Sequence, residues 1–124
     1  MAVSSLLALS ACHNNNSPAR KFKQLAEKAN KDCPTRMSET ITLDSTSYNE
    51  KNNTVSYFYS VTGELDDPAY MNTNYTTFKK ALQDAVDNSV DMEDYRKFGT
   101  SIKYIYFSGS SKQELAEFSF NSPK

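Results

Sequence analysis

The period of the hydrophobic pattern changes along this chain, and that change limits its fold more than any other feature. Between residues 18 and 31 apolar side chains recur at helical spacing, as Phe22, Leu25, Ala26 and Ala29. From Thr40 the period drops to two. Ile41 and Leu43 alternate with threonines, and Val55, Tyr57, Tyr59 and Val61 alternate with Ser56, Phe58 and Ser60. The helical period returns with Phe78, Ala81, Leu82, Ala85, Val86 and Val90 on one stripe and Lys79, Lys80, Asp84 and Asp87 off it. It gives way again to Ile102, Tyr104 and Tyr106, then, past Ser108-Gly109-Ser110-Ser111, to Ala116, Phe118 and Phe120, which together read as a hairpin.

The predicted order is αββαββ, an α+β fold with a four-stranded antiparallel sheet and both helices on one face, so that each apolar stripe is buried. Both halves open alike, on Phe22-Lys23 and Phe78-Lys79, which suggests a duplicated αββ unit. The expected core is Phe22, Leu25, Ile41, Leu43, Val55, Tyr57, Tyr59, Phe78, Leu82, Val86, Ile102, Tyr104, Phe118 and Phe120. Punctuation supports the boundaries. Ser17-Pro18 suits a capped helix start, and Cys33-Pro34 an end, because the residue before proline is steered out of the helical region. Asn49 to Asn53 reads as a turn, residues 63 to 74 as a loop, and Met92 to Phe98 as a short helical turn with Asp91 at its cap and Gly99 closing it.

A chain of 124 residues has room for one domain. A net charge of -1 gives no general attraction to nucleic acid, which is excluded as a partner.

Residues 1 to 11 are uncharged, apolar or small, and too few to span a bilayer, which takes about 20 apolar residues. They suit the apolar region of an export signal. Leu9-Ser10-Ala11-Cys12 resembles the lipobox of bacterial lipoproteins. That resemblance implies a lipidated Cys12 as mature N-terminus, residues 1–11 as signal remnant, residues 12–17 as a polar tether and residues 18–124 as the domain. With His13 rather than Asp after the cysteine, it also implies the outer membrane. The expected partners are then a membrane, through the anchor, and a protein of the cell envelope. In such a protein the glycosylation-type triplets Asn52-Asn53-Thr54 and Asn74-Tyr75-Thr76 are accidental.

The residues offer little chemistry. The sole histidine, His13, lies in the tether, which removes Ser/His/Asp and Cys/His arrangements and histidine metal sites. Asp84, Asp87, Asp91, Glu93 and Asp94 lack the spacing and glycine of a calcium loop, as do Glu64, Asp66 and Asp67, and read as solvated charge. Gly63, Gly99 and Gly109 form no phosphate loop. No catalytic residue, metal site or cofactor is expected. Cys33 reads as a half-buried thiol at a helix end, with an intermolecular disulfide or a bridge to unlipidated Cys12 as alternatives.

Binding is read on the sheet. If the tyrosines face the helices, the opposite face presents Phe58, Ile105, Phe107 and Leu115 beside Lys103 and Glu117, an apolar patch suited to a protein partner. The basic face of residues 18–31 is a second candidate, for anionic headgroups. The expected function is a non-enzymatic, lipid-anchored envelope protein whose domain binds a protein, as accessory to a surface or secretion assembly. The alternatives are an inhibitor or immunity protein against a hydrolase or toxin, and a small-ligand or glycan binder using exposed aromatics.

Overall fold

The computed structural model describes residues 17–121. The elements run α1 (Pro18–Asp32), β1 (Thr35–Arg36), β2 (Ile41–Asn49), β3 (Thr54–Val61), α2 (Pro68–Thr73), α3 (Tyr75–Asn88), α4 (Glu93–Lys97), β4 (Ser101–Ser108) and β5 (Glu114–Phe120), with 3-10 turns at Gly63–Leu65 and Val90–Met92. Ser17 caps α1 by accepting from the Arg20 N–H, and Pro18 occupies the first helical position, where its missing N–H costs nothing.

The α+β class holds, and three details are corrected. The sheet has five strands in the order β1-β2-β3-β4-β5, because the two-residue β1 is too short to carry a period. It is mixed rather than antiparallel: β3 and β4 run parallel, Thr54 beside Ser101 through Val61 beside Ser108. A parallel pair needs a crossover, and residues 62–100 supply one. The described residues also form four α-helices rather than two, since α2 and α4 form within that crossover. The stretch read as a loop contains α2, whose Asp67 side chain accepts from the Ala69 N–H ahead of Pro68. At the next turn Ser89, not Asp91, is the cap, accepting from the Asp91 N–H.

α1 lies along β2, held at Thr46, whose buried hydroxyl donates to the Ala26 carbonyl (3.0 Å). The Asn30 side-chain amide accepts from the Thr46 N–H (2.7 Å) and donates to its carbonyl (2.9 Å), occupying the edge of β2 that β1 leaves open. α2 and α3 lie against β5, and the Tyr75 hydroxyl donates to the Glu117 carbonyl. The core packs on this side of the sheet, around Phe22, Val55, Met71, Val86, Tyr95, Ile102, Tyr104, Phe118 and Phe120. Leu25 departs from expectation, at 43% exposed. Its position on the flank of α1 carries it off the line of Phe22 and Ala26 that meets the sheet.

Candidate functional site

Cross-strand register assigns each side chain to a face. Ile41, Leu43, Thr46 and Tyr48 of β2 share the helical face with Val61, Tyr59, Tyr57 and Val55 of β3, then with Ile102, Tyr104 and Tyr106 of β4. The four tyrosines form a continuous stack: ring centroids are 5.2 Å apart for Tyr57 and Tyr104, and 4.8 Å for Tyr59 and Tyr106. Burial disfavours their ionised forms, holding Tyr57 and Tyr59 well above the ordinary tyrosine value and pushing Tyr104 and Tyr106 up to about 12. The packing therefore favours the neutral phenol at each of the four.

With α1 on β2 and α3 on β5, the helices of the described residues leave the middle of the sheet partly uncovered. Six residues expected in the core are therefore only half-buried: Ile41, Leu43, Tyr57, Tyr59, Phe78 and Leu82. A cleft of ≈ 160 Å³ opens here. Tyr106, Phe118 and Ile41 come from the sheet, Phe78, Ala81 and Leu82 from α3, and Met71 and Leu65 close one end. No charged residue lines it. Tyr106 stacks on Tyr59, which stands opposite Leu43, so the apolar floor continues from the cleft toward α1 and the exposed Leu25. Ala81 and Ala85, one turn apart on α3, are both exposed. No sequence expectation named this cleft. Its signal was present in the small residues at 81 and 85 within an otherwise large apolar stripe.

The opposite face brings together most of the patch expected there. Phe58 pairs with Ile105, and Ile105 with Glu117; Phe107 lies two residues along β4 from Ile105. Phe58 and Phe107 are half-buried, but Ile105 is only 6% exposed. Lys103 and Glu117 form an ion pair across β4 and β5 (3.9 Å). Leu115 is not part of this group: the register shifts between Tyr106 and Phe107, and Leu115, in the bulge, packs against the core cluster.

At the end of the sheet nearest the cleft, the β4–β5 turn closes onto β3. The Gly109 N–H donates to the Val61 carbonyl (2.8 Å), and a side chain at 109 would meet that oxygen at 2.7 Å, so the approach requires glycine. Asp66 accepts from the Ser110 N–H and hydroxyl, and the Ser108 hydroxyl, followed by these Ser110 donors, holds its carboxyl below the ordinary range.

Cys33 is a free, half-buried thiol at the end of α1. Cys12, His13 and residues 1–11 lie outside the described residues. Among the described residues, no group of three or more His, Cys, Asp or Glu is placed to hold a metal ion, and no helix is long and apolar enough to cross a membrane.

Comparison with known proteins adds a family and a fold. The profile of the family described as Domain of unknown function (DUF8479) matches residues 16–116, and the chain belongs to that family. A Pseudomonas aeruginosa protein described as secreted superposes with a TM-score of 0.73 at 16% identity, over 85% of this chain and 89% of that one. The type II secretion pilotin EpsS of Vibrio vulnificus does so with a TM-score of 0.57 at 7% identity, over 86% of this chain and 97% of that one. For the type II secretion pilotin AspS of Vibrio cholerae the values are 0.55 and 12%, over 85% and 93%. At such identities the likeness is one of fold. A search of the curated proteins returns no match.

Proposed function

We infer that this member of the family is a non-enzymatic, lipid-anchored protein of the bacterial envelope, accessory to a secretion assembly, whose domain holds a protein partner through the cleft beneath α3. The observation that carries this reading is the cleft itself, apolar, open and placed where the helical layer leaves the sheet uncovered. A cavity of about 150 Å³ accepts a ring the size of benzene. The cleft of ≈ 160 Å³ therefore suits one large apolar side chain, such as Leu or Phe, presented by a partner. It is smaller than the roughly 300 to 1,000 Å³ usual for small-molecule sites, and the stacked tyrosines lie in the core cluster or against it, which disfavours the glycan reading. The exposed Ala81 and Ala85 let the backbone of a docking helix come close to α3, a mode in which apolar side chains at helical spacing supply the anchors.

The assembly is suggested by fold, since two proteins of this fold are pilotins of type II secretion systems. The anchor is the proposed thioether at Cys12, with residues 1–11 removed, residues 12–17 as tether and the outer membrane as destination. The open sheet face is the second candidate surface, on the half-buried Phe58 and Phe107 flanked by Lys103 and Glu117. It ranks below the cleft because Ile105 at its centre is already covered.

The test is recovery of an envelope protein with the tagged full-length chain from its native host. Ala81→Trp, which fills the cleft mouth from an exposed position, is expected to lower recovery of that protein about tenfold, equivalent to ~1.4 kcal/mol. Phe58→Ser combined with Phe107→Ser is expected to leave it unchanged. The reverse pattern would overturn the assignment of the cleft.

A further inference from the structure

Both described ends of the chain leave from one end of the sheet. The end of β2, the starts of β3 and β4 and the end of β5 are aligned there, Asn49 beside Thr54, Thr54 beside Ser101, and Ile102 beside Phe120. α1 starts at the same end: Phe22 packs edge-on against Tyr48 (5.5 Å), and Ser17 and Arg20 share a surface depression with Glu50 of the β2–β3 turn. The cleft lies toward the other end, between Ile41, Leu65 and Met71.

Phe98, at the end of α4, is 52% exposed at this chain-terminal end. Its ring lies 6.0 Å from that of Phe22, and its carbonyl accepts from the Asn53 side-chain amide (3.1 Å), so the backbone carrying it is fixed. At the same end of the sheet, Arg20 and Lys23 of α1 line the depression beside Glu50, and Lys51 follows in the β2–β3 turn; none of the three has an ion-pair partner among the described residues, while Lys21 pairs with Asp94 and Lys97 with Glu93. Glu27 and Glu50 share the depression with Arg20 and Lys23, so the electrostatic pull of this end on anionic lipid is modest, and the aromatic ring is the main contact.

We propose that this end of the domain rests on the membrane surface, with the Phe98 ring at the boundary of headgroups and acyl chains and Arg20, Lys23 and Lys51 at headgroup level. The proposal rests on the anchor at Cys12. Ser17 stands five chain steps from Cys12. Fully extended, five steps reach about 18 Å, less than the ~22 Å length of a helix such as α1 at about 1.5 Å per residue. The tether therefore confines the Phe98 end near the bilayer. The other end, with the cleft and the exposed Met37, is left facing away, where a partner can reach it.

The chain contains no tryptophan, so Phe98→Trp and Met37→Trp each create a single fluorescent reporter. In a Cys33→Ser background, the full-length chain is coupled through Cys12 to a maleimide lipid in phosphatidylcholine–phosphatidylglycerol vesicles, which supplies the anchor whatever the cell does at that residue. Brominated acyl chains are expected to quench Trp at 98 at least about twofold more strongly than Trp at 37, with a blue-shifted emission at 98 alone. Equal quenching at the two positions, or none at 98, would overturn the proposal. Mass measurement of Cys12 in protein from native membranes tests the natural anchor separately, so the two failures are distinguishable.

Discussion

The two faces of one sheet put their aromatic residues to different use. On the helical face Tyr57, Tyr59, Tyr104 and Tyr106 stack in a row beneath an incomplete helical layer, and the missing cover leaves a cleft. On the other face Phe58 and Phe107 flank an isoleucine that is already buried with no helix of the described residues above it. An uncovered face thus need not be a vacant one, because long side chains on neighbouring strands shield one another. Vacancy arises instead where the layer meant to cover a face fails to close.

That contrast predicts unequal costs. Phe118→Ala, at the fully buried floor of the cleft, is expected to destabilise by about 3 to 5 kcal/mol, and Phe58→Ala on the open face by roughly 1 to 2 kcal/mol, measured by urea unfolding. Equal losses would break the comparison. Gly109→Ala is expected to cost about 1 to 3 kcal/mol by pushing the β4–β5 turn off the Val61 carbonyl and to distort the cleft end of the sheet, readable in the same unfolding curves.

The tyrosines give a pH test that belongs to the helical face alone. Burial raises their folded values above the unfolded value of about 10, so the neutral form is favoured in the folded chain. The stability linked to them is fully present below pH about 10 and is lost as pH rises through about 12, the value for Tyr104 and Tyr106. Tyr106→Phe removes one ionisable group and is expected to move the alkaline unfolding midpoint upward, followed by circular dichroism. A downward or absent shift would show that the ring is not held neutral by the packing described. The smallest expected effect is that of Ala81→Trp on stability, within about 0.5 kcal/mol, because the side chain is exposed. Its consequence belongs to binding.

Much of this fold was legible in the chain because periodicity reports which side chains share a face. Both long helices, the two hairpins and the sharing of one face by the tyrosines follow from spacing alone, while which face meets the helices does not. What spacing does not carry is pairing between distant segments. The parallel contact of Tyr57 with Tyr104 is made across the crossover of residues 62–100, whose helices α2 and α4 are too short to show a full apolar stripe. Leu115 illustrates a second limit: a single bulge between Tyr106 and Phe107 takes it out of the face that alternation assigned to it. The cleft was hidden for a third reason. Phe78, Leu82, Tyr59 and Ile41 carry a core pattern whether or not the opposing layer closes over them, and closure depends on where α1 and α3 settle across five strands.

Docking of a partner between α3 and the exposed part of the helical face is open to site-specific photocrosslinking in the native envelope. With a photoreactive residue at Ala81 or Ala85, adducts are expected to one envelope protein, through a peptide whose apolar residues fall at helical spacing, and none from Phe58 or Phe107. Adducts from Phe58 or Phe107, with none from Ala81 and Ala85, would contradict it.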